Sequence, residues 1–374
     1  MRRFPAGLAL ALMLSGACSG TVQVDYPVTT AMTGTDSTQL GRAIAPDATA
    51  HPGLSGFFAL PEPHTAFAAR VLLADAAERS IDTQYYIWHD DETGFMLFEA
   101  LWRAAERGVR VRLLVDDNTT AGQDKTFQAL DSHPNLEVRL YNPLRHRRVR
   151  ALSYLTDFRR ANRRMHNKSF TVDNQATIVG GRNVGNEYFG AGPGVAFTDL
   201  DVVAVGPIVQ EVSATFDKFW NSPSATPVPR LLAPASPAAL ERLHARFERA
   251  RNNPVGAGYV AAVRRTTAVT DLVERRIQLE WTTARLVADD PAKTLDAGHD
   301  QGLLLLPRLL ELVGTPARQF DLVSPYFVPM EDGTAALAAL ARSGIGVRVL
   351  TNSLVATDVT AVHAGYAKRR PALL

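Results

Sequence analysis

Cysteine is almost missing from this chain. Its one cysteine, Cys18, lies close to the amino terminus, so no internal disulfide can staple the fold. Lysine is nearly as scarce: only five of the 40 basic residues are lysine, and alanine is abundant. Both features reflect the base composition of a GC-rich genome, so arginine-rich stretches carry less weight as binding signals. A charge excess of one sign is also lacking. The net charge of +2 points to no particular partner. The only notable apolar run is Phe4 to Leu14. Eleven residues in a helix would span about 16 Å, against a hydrocarbon core of about 30 Å. The chain is thus neither polytopic nor disordered. Its 46% hydrophobic and 21% charged residues suit a globular protein with a sizeable core, and 374 residues suit two or so domains.

The short apolar run does carry meaning. Arg2 and Arg3 precede it, and the small residues Ser15-Gly16-Ala17 lead to Cys18. That order predicts a secretory leader over residues 1–18 and export of the rest. Cys18 resembles the acylated cysteine of a bacterial lipobox and is the candidate lipidation site. Ser15 departs from that pattern, which usually has Leu or Val there, and the same small residues suit ordinary cleavage. Residues 19–60 are polar, with Pro27, Pro46, Pro52 and Gly53, and read as an amino-terminal arm.

From residue 61 the periodicity sharpens. Helical spacing from Ala66 to Arg79 is followed by a strand-like run, Ile81 to Trp88. Gly94 to Glu106 reads as a helix closed by Gly108, and Val109 to Val115 as a strand closed by Asp116-Asp117. A helix near Asp124 to Asp131 and a strand from Leu136 to Tyr141 continue the alternation. It predicts an α/β sandwich with a largely parallel sheet over residues 61–222. Residues 223–317 open with five prolines between Pro223 and Pro237 and read as a linker and helical insertion.

Residues 318–374 begin a second unit that echoes the first. Ile81, Tyr85-Tyr86, Gly94 and Gly108-Val109-Arg110-Val111-Arg112-Leu113-Leu114 have counterparts in Phe320, Pro325-Tyr326, Gly333 and Gly344-Ile345-Gly346-Val347-Arg348-Val349-Leu350. Both run strand, acidic turn, helix, glycine cap, buried strand. A duplicated fold is the expectation.

The chemistry concentrates in Met165 to Asn183. Alternation predicts a strand, a turn at Asp173-Asn174-Gln175, and a second strand. His166 and Lys168 are two apart, so on a strand they share a face. That pair suits a phosphodiester: lysine neutralises a non-bridging oxygen, and histidine attacks phosphorus or protonates the leaving oxygen. Asp173 is expected to return from the turn and orient an imidazole. Gly180 and Gly181 would let backbone approach a ligand, and Asn183 offers a donor and an acceptor. With nine histidines and five lysines, a chance H-x-K-x4-D is on the order of one in a hundred.

These residues resemble the phospholipase D superfamily, whose signature is H-x-K-x4-D followed by G-G/S-x-N. Within it, the chain is similar to bacterial cardiolipin synthases of the C type from about Gly53 onward. Gln84 to Trp88, Asp116-Asp117, Asn142-Pro143, Gly185 to Phe189, Asp289 to Lys293 and His363 to Tyr366 extend the likeness. The resemblance implies a duplicated phospholipase D-like α-β-α sandwich, with each half giving one motif to a shared site. One histidine would become a phosphohistidine and the other would act as acid, then base. No cofactor and no metal are implied. On this likeness His166, Lys168 and Asp173 are catalytic, and Gly180, Gly181, Asn183 and Glu187 bind substrate or support its binding. His166 lies 58 residues after Gly108, and the same offset from Gly344 falls near position 402. The second half is therefore expected to be incomplete, with the chain cut short before its motif.

Arginines crowd the approach to His166: Arg145, Arg147, Arg148, Arg150, Arg159, Arg160, Arg163 and Arg164. Leu152, Tyr154, Leu155 and Phe158 are interleaved. Arg159, Arg160, Arg163 and Arg164 are taken as a seat for an anionic lipid surface. A solvated face is the plain alternative, and a nucleic-acid backbone is the disfavoured one. Three functions follow. The first is phosphatidyl transfer or phospholipid hydrolysis by an exported enzyme at the membrane of a bacterial envelope. The second is an inactive membrane-binding remnant. The third is a single-motif nuclease or phosphodiesterase completed by a homodimer.

Overall fold

The computed structural model describes residues 26–147, 149–190, 197–296, 300–357 and 359–374. The expected leader with Cys18, and also Arg148, lie outside the described residues. Helix α1 (Gln39–Ala50) begins at Thr38, whose hydroxyl accepts the Gly41 N–H. Then come β1 (Ser55–Leu60), α2 (Pro63–Ala76), β2 (Ser80–Tyr85), α3 (Glu92–Glu106) and β3 (Arg110–Asp116). The chain continues through α4 (Asp124–Asp131), β4 (Leu136–Tyr141), α5 (Arg150–Thr156), α6 (Phe158–Ala161), β5 (Ser169–Val172) and β6 (Ala176–Gly180). Next are α7 (Asn186–Phe189), β7 (Asp201–Val205), α8 (Pro207–Trp220), β8 (Ala225–Pro227) and α9 (Val228–Leu231). Helices α10 (Pro237–Asn252), α11 (Pro254–Arg265) and α12 (Ala268–Val273) precede β9 (Glu280–Thr282). Helix α13 (Leu305–Val313), β10 (Gln319–Val323), α14 (Met330–Arg342) and β11 (Gly346–Leu350) follow.

Nine strands form one sheet in the order β8-β4-β3-β2-β5-β6-β7-β1-β9. Only β2, β3 and β4 run parallel; every other pairing in this sheet is antiparallel. The expectation of a largely parallel sheet is corrected here. The physical reason is the turn after β5: Asp173 and Asn174 both have φ of 52°, the left-handed pair of a tight hairpin. It returns the chain as β6 with no helical crossover.

Alternation along β3 sorts its side chains to two cores. Val111, Leu113 and Val115 join one with residues of α2, α3, α4, α10 and α11. Leu114 packs on the other side with Phe216, Phe219 and Trp220 of α8. Helices therefore cover both faces, giving the α-β-α sandwich. The sheet runs past the boundaries expected at 61 and 222, taking in β1, β8 and β9. The arm expected over 19–60 contributes α1 and β1, because Leu40, Ile44 and Leu60 have a core to enter.

The second unit repeats the first in detail. β10 and β11 pair parallel around α14, placing Asp321 opposite Arg348, as β2 and β3 place Asp82 opposite Arg112. Each arginine grips its aspartate with two nitrogens: Arg112 at 2.7 and 2.8 Å, Arg348 at 2.7 Å twice. Gly108 and Gly344 both take positive φ, 90° and 86°, just before the second strand. Arg112 is buried, whereas Arg348 is exposed.

Candidate active site

His166 sits at the carboxyl-terminal end of the parallel strands, where ligands of open α/β sheets gather. Ser169 of β5 pairs with Gln84, so the residues just before it, Lys168 and His166, run alongside the segment that carries Tyr86. Asp116, at the end of β3, fixes the approach. Its buried carboxylate accepts the Met165 N–H at 2.9 Å and the Arg164 guanidinium at 3.2 Å. The His166 ring lies 4.7 Å from the Tyr86 ring. The Lys168 ammonium is 3.3 Å from Nδ1 of His166 and donates to the His166 carbonyl at 3.0 Å.

At neutral pH the two groups differ in charge, chiefly because the protein around each disfavours its charged form. Crowding by protein lowers the His166 imidazole to about 4, and the ammoniums of Lys168 and Lys293 push the same way. Burial lowers the Lys168 ammonium to about 8, against the pull of Asp199 and Asp201. Between those values His166 is neutral with a free lone pair, and Lys168 is charged. His166 itself remains open to solvent. A neutral imidazole beside a fixed cation can attack an anionic phosphorus centre. Titrating the His166 ring by NMR should give a pKa near 4, and Lys168→Met should raise it towards the ordinary value of about 6.5. An unchanged titration in Lys168→Met would break the coupling.

The structure does not bring Asp173 to His166. β5 separates them, and its residues each rise about 3.3 Å. Asp173 stands at the opposite end of the sheet, where its carboxylate accepts the N–H groups of Glu78 (3.1 Å), Arg79 (2.8 Å) and Ser80 (2.9 Å). The expected imidazole-orienting role is corrected: Asp173 caps the start of β2. Asp173→Asn turns an N–H donor toward those amides. It should cost about 1–3 kcal/mol in urea unfolding while the folded protein keeps its turnover. A stable variant with lost turnover would restore the catalytic role.

The other expected substrate contacts are also engaged by protein. A Cβ on Gly180 would collide with Asp201, and one on Gly181 with Asp199. These glycines admit carboxylates of this chain rather than a ligand. Asn183 accepts the Ile87 N–H at 3.0 Å through Oδ1. Glu187 pairs with Nε2 of His89 at 2.9 Å. Both brace the loop that carries Tyr86.

Three of the four arginines assigned to a lipid seat turn inward. Arg164 binds Asp116 and the Asn142 carbonyl, Arg160 binds Asp157 and Asn142, and Arg163 reaches the Thr294 carbonyl at 3.5 Å. Most of their engaged donors serve chain folding around His166, while Nη2 of Arg160 and Nη2 of Arg164 are buried without a hydrogen-bond partner. Arg159 alone of the four is exposed.

Several members of the site escape a reading by motif. Tyr86 lies past the end of β2. Asp199 lies against Gly181 and supports the charge on Lys168. Lys293, paired with Asp289, arrives from the stretch expected to be an insertion. Tyr141 anchors that stretch through Thr294 Oγ1 at 2.6 Å and the Pro291 carbonyl at 3.3 Å. The family likeness over Asp289 to Lys293 is the available signal for Lys293, and that over Gln84 to Trp88 for Tyr86, though it assigns neither residue a role. Among the described residues, no three His, Cys, Asp or Glu side chains cluster as metal ligands.

The chain is similar to several known proteins. Residues 72–220 match a family described as cardiolipin synthase, PLD-like domain. Cardiolipin synthase C of Escherichia coli (strain K12) is 46% identical over 337 residues, which cover 90% of this chain and 71% of that protein. The major cardiolipin synthase of Bacillus subtilis (strain 168) is 32% identical over 156 residues, covering 41% of this chain and 31% of that one. The solved structure of phosphatidylserine synthase from Haemophilus influenzae Rd KW20 superposes with a TM-score of 0.52 at 15% identity, covering 86% of this chain and 67% of that one. At that identity the likeness concerns the fold.

Proposed function

Because the chain belongs to the cardiolipin synthase family of phospholipase D-like enzymes, we propose that it transfers phosphatidyl groups between head-group alcohols through a phosphohistidine on His166. The observation that carries this is the neutral, accessible imidazole held beside the Lys168 ammonium. In the first step a ring nitrogen of His166 attacks phosphorus, and the bond from phosphorus to the leaving alcohol breaks. Lys168 neutralises a non-bridging oxygen as charge builds there. The leaving oxygen takes its proton from a water in the cleft, and the hydroxide so formed takes the proton of the incoming alcohol in the second step. In the second step an incoming alcohol loses its proton, attacks the phosphohistidine and frees the imidazole. Lys293 and Asp289 would border the head group. The substrate class is an anionic phospholipid, which places the work at the membrane of a bacterial envelope. Among the described residues no helix is long and apolar enough to cross a membrane. The leader motif supports export, with Cys18 as the candidate anchor.

The pH profile separates the two roles open to His166. A nucleophile must be deprotonated, and Lys168 must be charged. So kcat/KM should rise through about pH 4 and fall through about pH 8. If His166 served as the acid, kcat/KM would already be falling above pH 4. The function itself is tested by incubating the purified full chain with phosphatidylglycerol vesicles and following released glycerol and new phosphodiester product. Product formation is expected. No product under any condition would support a membrane-binding remnant instead.

A further inference from the structure

Helix α5 is inside out. Arg150, Ser153 and Tyr154 turn toward the protein. Arg150 donates to the Asp117 carbonyl at 2.5 Å and to Thr120 Oγ1 at 3.0 Å. Ser153 is buried and its Oγ accepts the His146 N–H at 2.9 Å. The Tyr154 hydroxyl donates to Asn118. Val149, Leu152 and Leu155 face the other way and are 60%, 39% and 83% exposed; Phe158, opening α6, is 60% exposed. At about 100° per residue, Leu152 and Leu155 lie about 60° apart on the face turned away from Arg150, Ser153 and Tyr154, and Val149 stands just before the first turn. A helix on a water-facing surface does the reverse.

The ridge is joined to the chemistry. Tyr154 meets Asn118, Asn118 donates to the Tyr86 hydroxyl at 3.0 Å, and the Tyr86 ring lies against His166. Its flanks are cationic. Arg145, 69% exposed and paired with Asp157 at 3.3 Å, and the exposed Arg159 border it, and Asp157 is the only carboxylate between Arg145 and Arg164. Apolar residues at the crest and arginines at the rim match the acyl boundary and head groups of an anionic bilayer, respectively.

We propose that Val149, Leu152, Leu155 and Phe158 insert into an anionic bilayer and seat the His166 cleft on the lipid surface. This rests on the phosphatidyl-transfer reading for its purpose, but not for its test. The membrane contact thus moves from the arginine forks, which are engaged inward, to the apolar crest.

The test places an indole on the ridge. Leu155→Trp is made in the full chain, and its emission is compared with that of the parent, which has four tryptophans. Phosphatidylglycerol vesicles should shift the added emission to the blue, and brominated acyl chains should quench it. Phosphatidylcholine vesicles should do less. Emission unmoved by both vesicles overturns the proposal. So does emission already blue in buffer, which would mean that the ridge is covered by this chain or by a second copy. In a second arm, Leu155→Ser with Phe158→Ser should cut turnover on vesicles at least about tenfold and spare turnover of a short-chain, monomeric phosphatidylglycerol. Equal loss on both substrates overturns the docking role. A parent without turnover defeats the catalytic reading while the indole still reports on the ridge.

Discussion

His166→Ala is expected to abolish phosphatidyl transfer, lowering kcat/KM at least about 10⁴-fold, while the unfolding midpoint stays where it was. The imidazole is solvent-accessible, and its neighbours are the Tyr86 ring and the Lys168 ammonium. Its removal opens no core cavity and strands no buried partner, so stability has little reason to change. Catalysis has every reason to. Alanine offers no lone pair, and a covalent intermediate on this residue cannot form. Lys168→Met should lose less, about 10²- to 10³-fold, because it removes one charge-stabilising donor and leaves the nucleophile in place. The ordering of the two variants is informative. If His166→Ala kept turnover within tenfold of the parent, the nucleophile would be elsewhere in the chain. If Lys168→Met were the worse of the two, charge neutralisation would dominate over covalent chemistry. Both variants are measured on phosphatidylglycerol vesicles, with urea unfolding alongside.

The neighbourhood of His166 and Lys168 was legible from residue order, although β5 begins only at Ser169: both precede the strand, and their spacing of two still sets the ammonium 3.3 Å from the imidazole. The turn at Asp173-Asn174-Gln175 falls where the composition placed it. Helix α3 starts at its Asp91 cap and ends at Glu106, where the spacing placed its end, for the same local reason. What depended on long-range pairing was not legible. Asp173 looked catalytic because spacing along a motif says nothing about which end of a strand a residue ends on. Its true partners, Glu78 to Ser80, are more than ninety positions away. Gly180 and Gly181 looked like ligand-facing glycines because β7 and its neighbouring Asp199 could not be placed beside them by sequence. The arginines looked like a surface patch because the carboxylates that fold them inward, Asp116 and Asp117, lie at and just past the end of β3. The repeat fared better. Its Asp–Arg pair sits across two adjacent strands, so the same short pattern that predicts the unit also predicts the contact.

Asp201→Ala should be the most destabilising single change in the site region, by about 3–5 kcal/mol. Asp201 is fully buried at the start of β7 and is shared by two buried guanidiniums. Its Oδ2 accepts Arg70 Nη2 at 2.9 Å and lies 3.5 Å from Arg182 Nη1, and its Oδ1 accepts the Arg182 N–H at 3.2 Å. Removing the carboxylate leaves two charges in the interior with only neutral acceptors: Tyr85, Ala66, Leu60, Pro61 and Tyr188. Arg70→Met should cost less, because Asp201 then still holds Arg182 and the methionine fills part of the space. Combining the two should cost less than the sum of the singles, since the pair that each disrupts can be lost only once. Urea unfolding of the three variants gives the cycle. Equal, additive effects would mean that Arg182 and solvent already balance each group, and the network would then be a packing feature rather than a charge clamp. A functional consequence follows from position. Asp201 underlies Gly180 and helps to hold the charge on Lys168. In the folded fraction of Asp201→Asn, the Lys168 ammonium should therefore lose its proton at lower pH, and the alkaline limb of kcat/KM should move down from about 8. A limb that stays put would place the support for Lys168 on Asp199 alone.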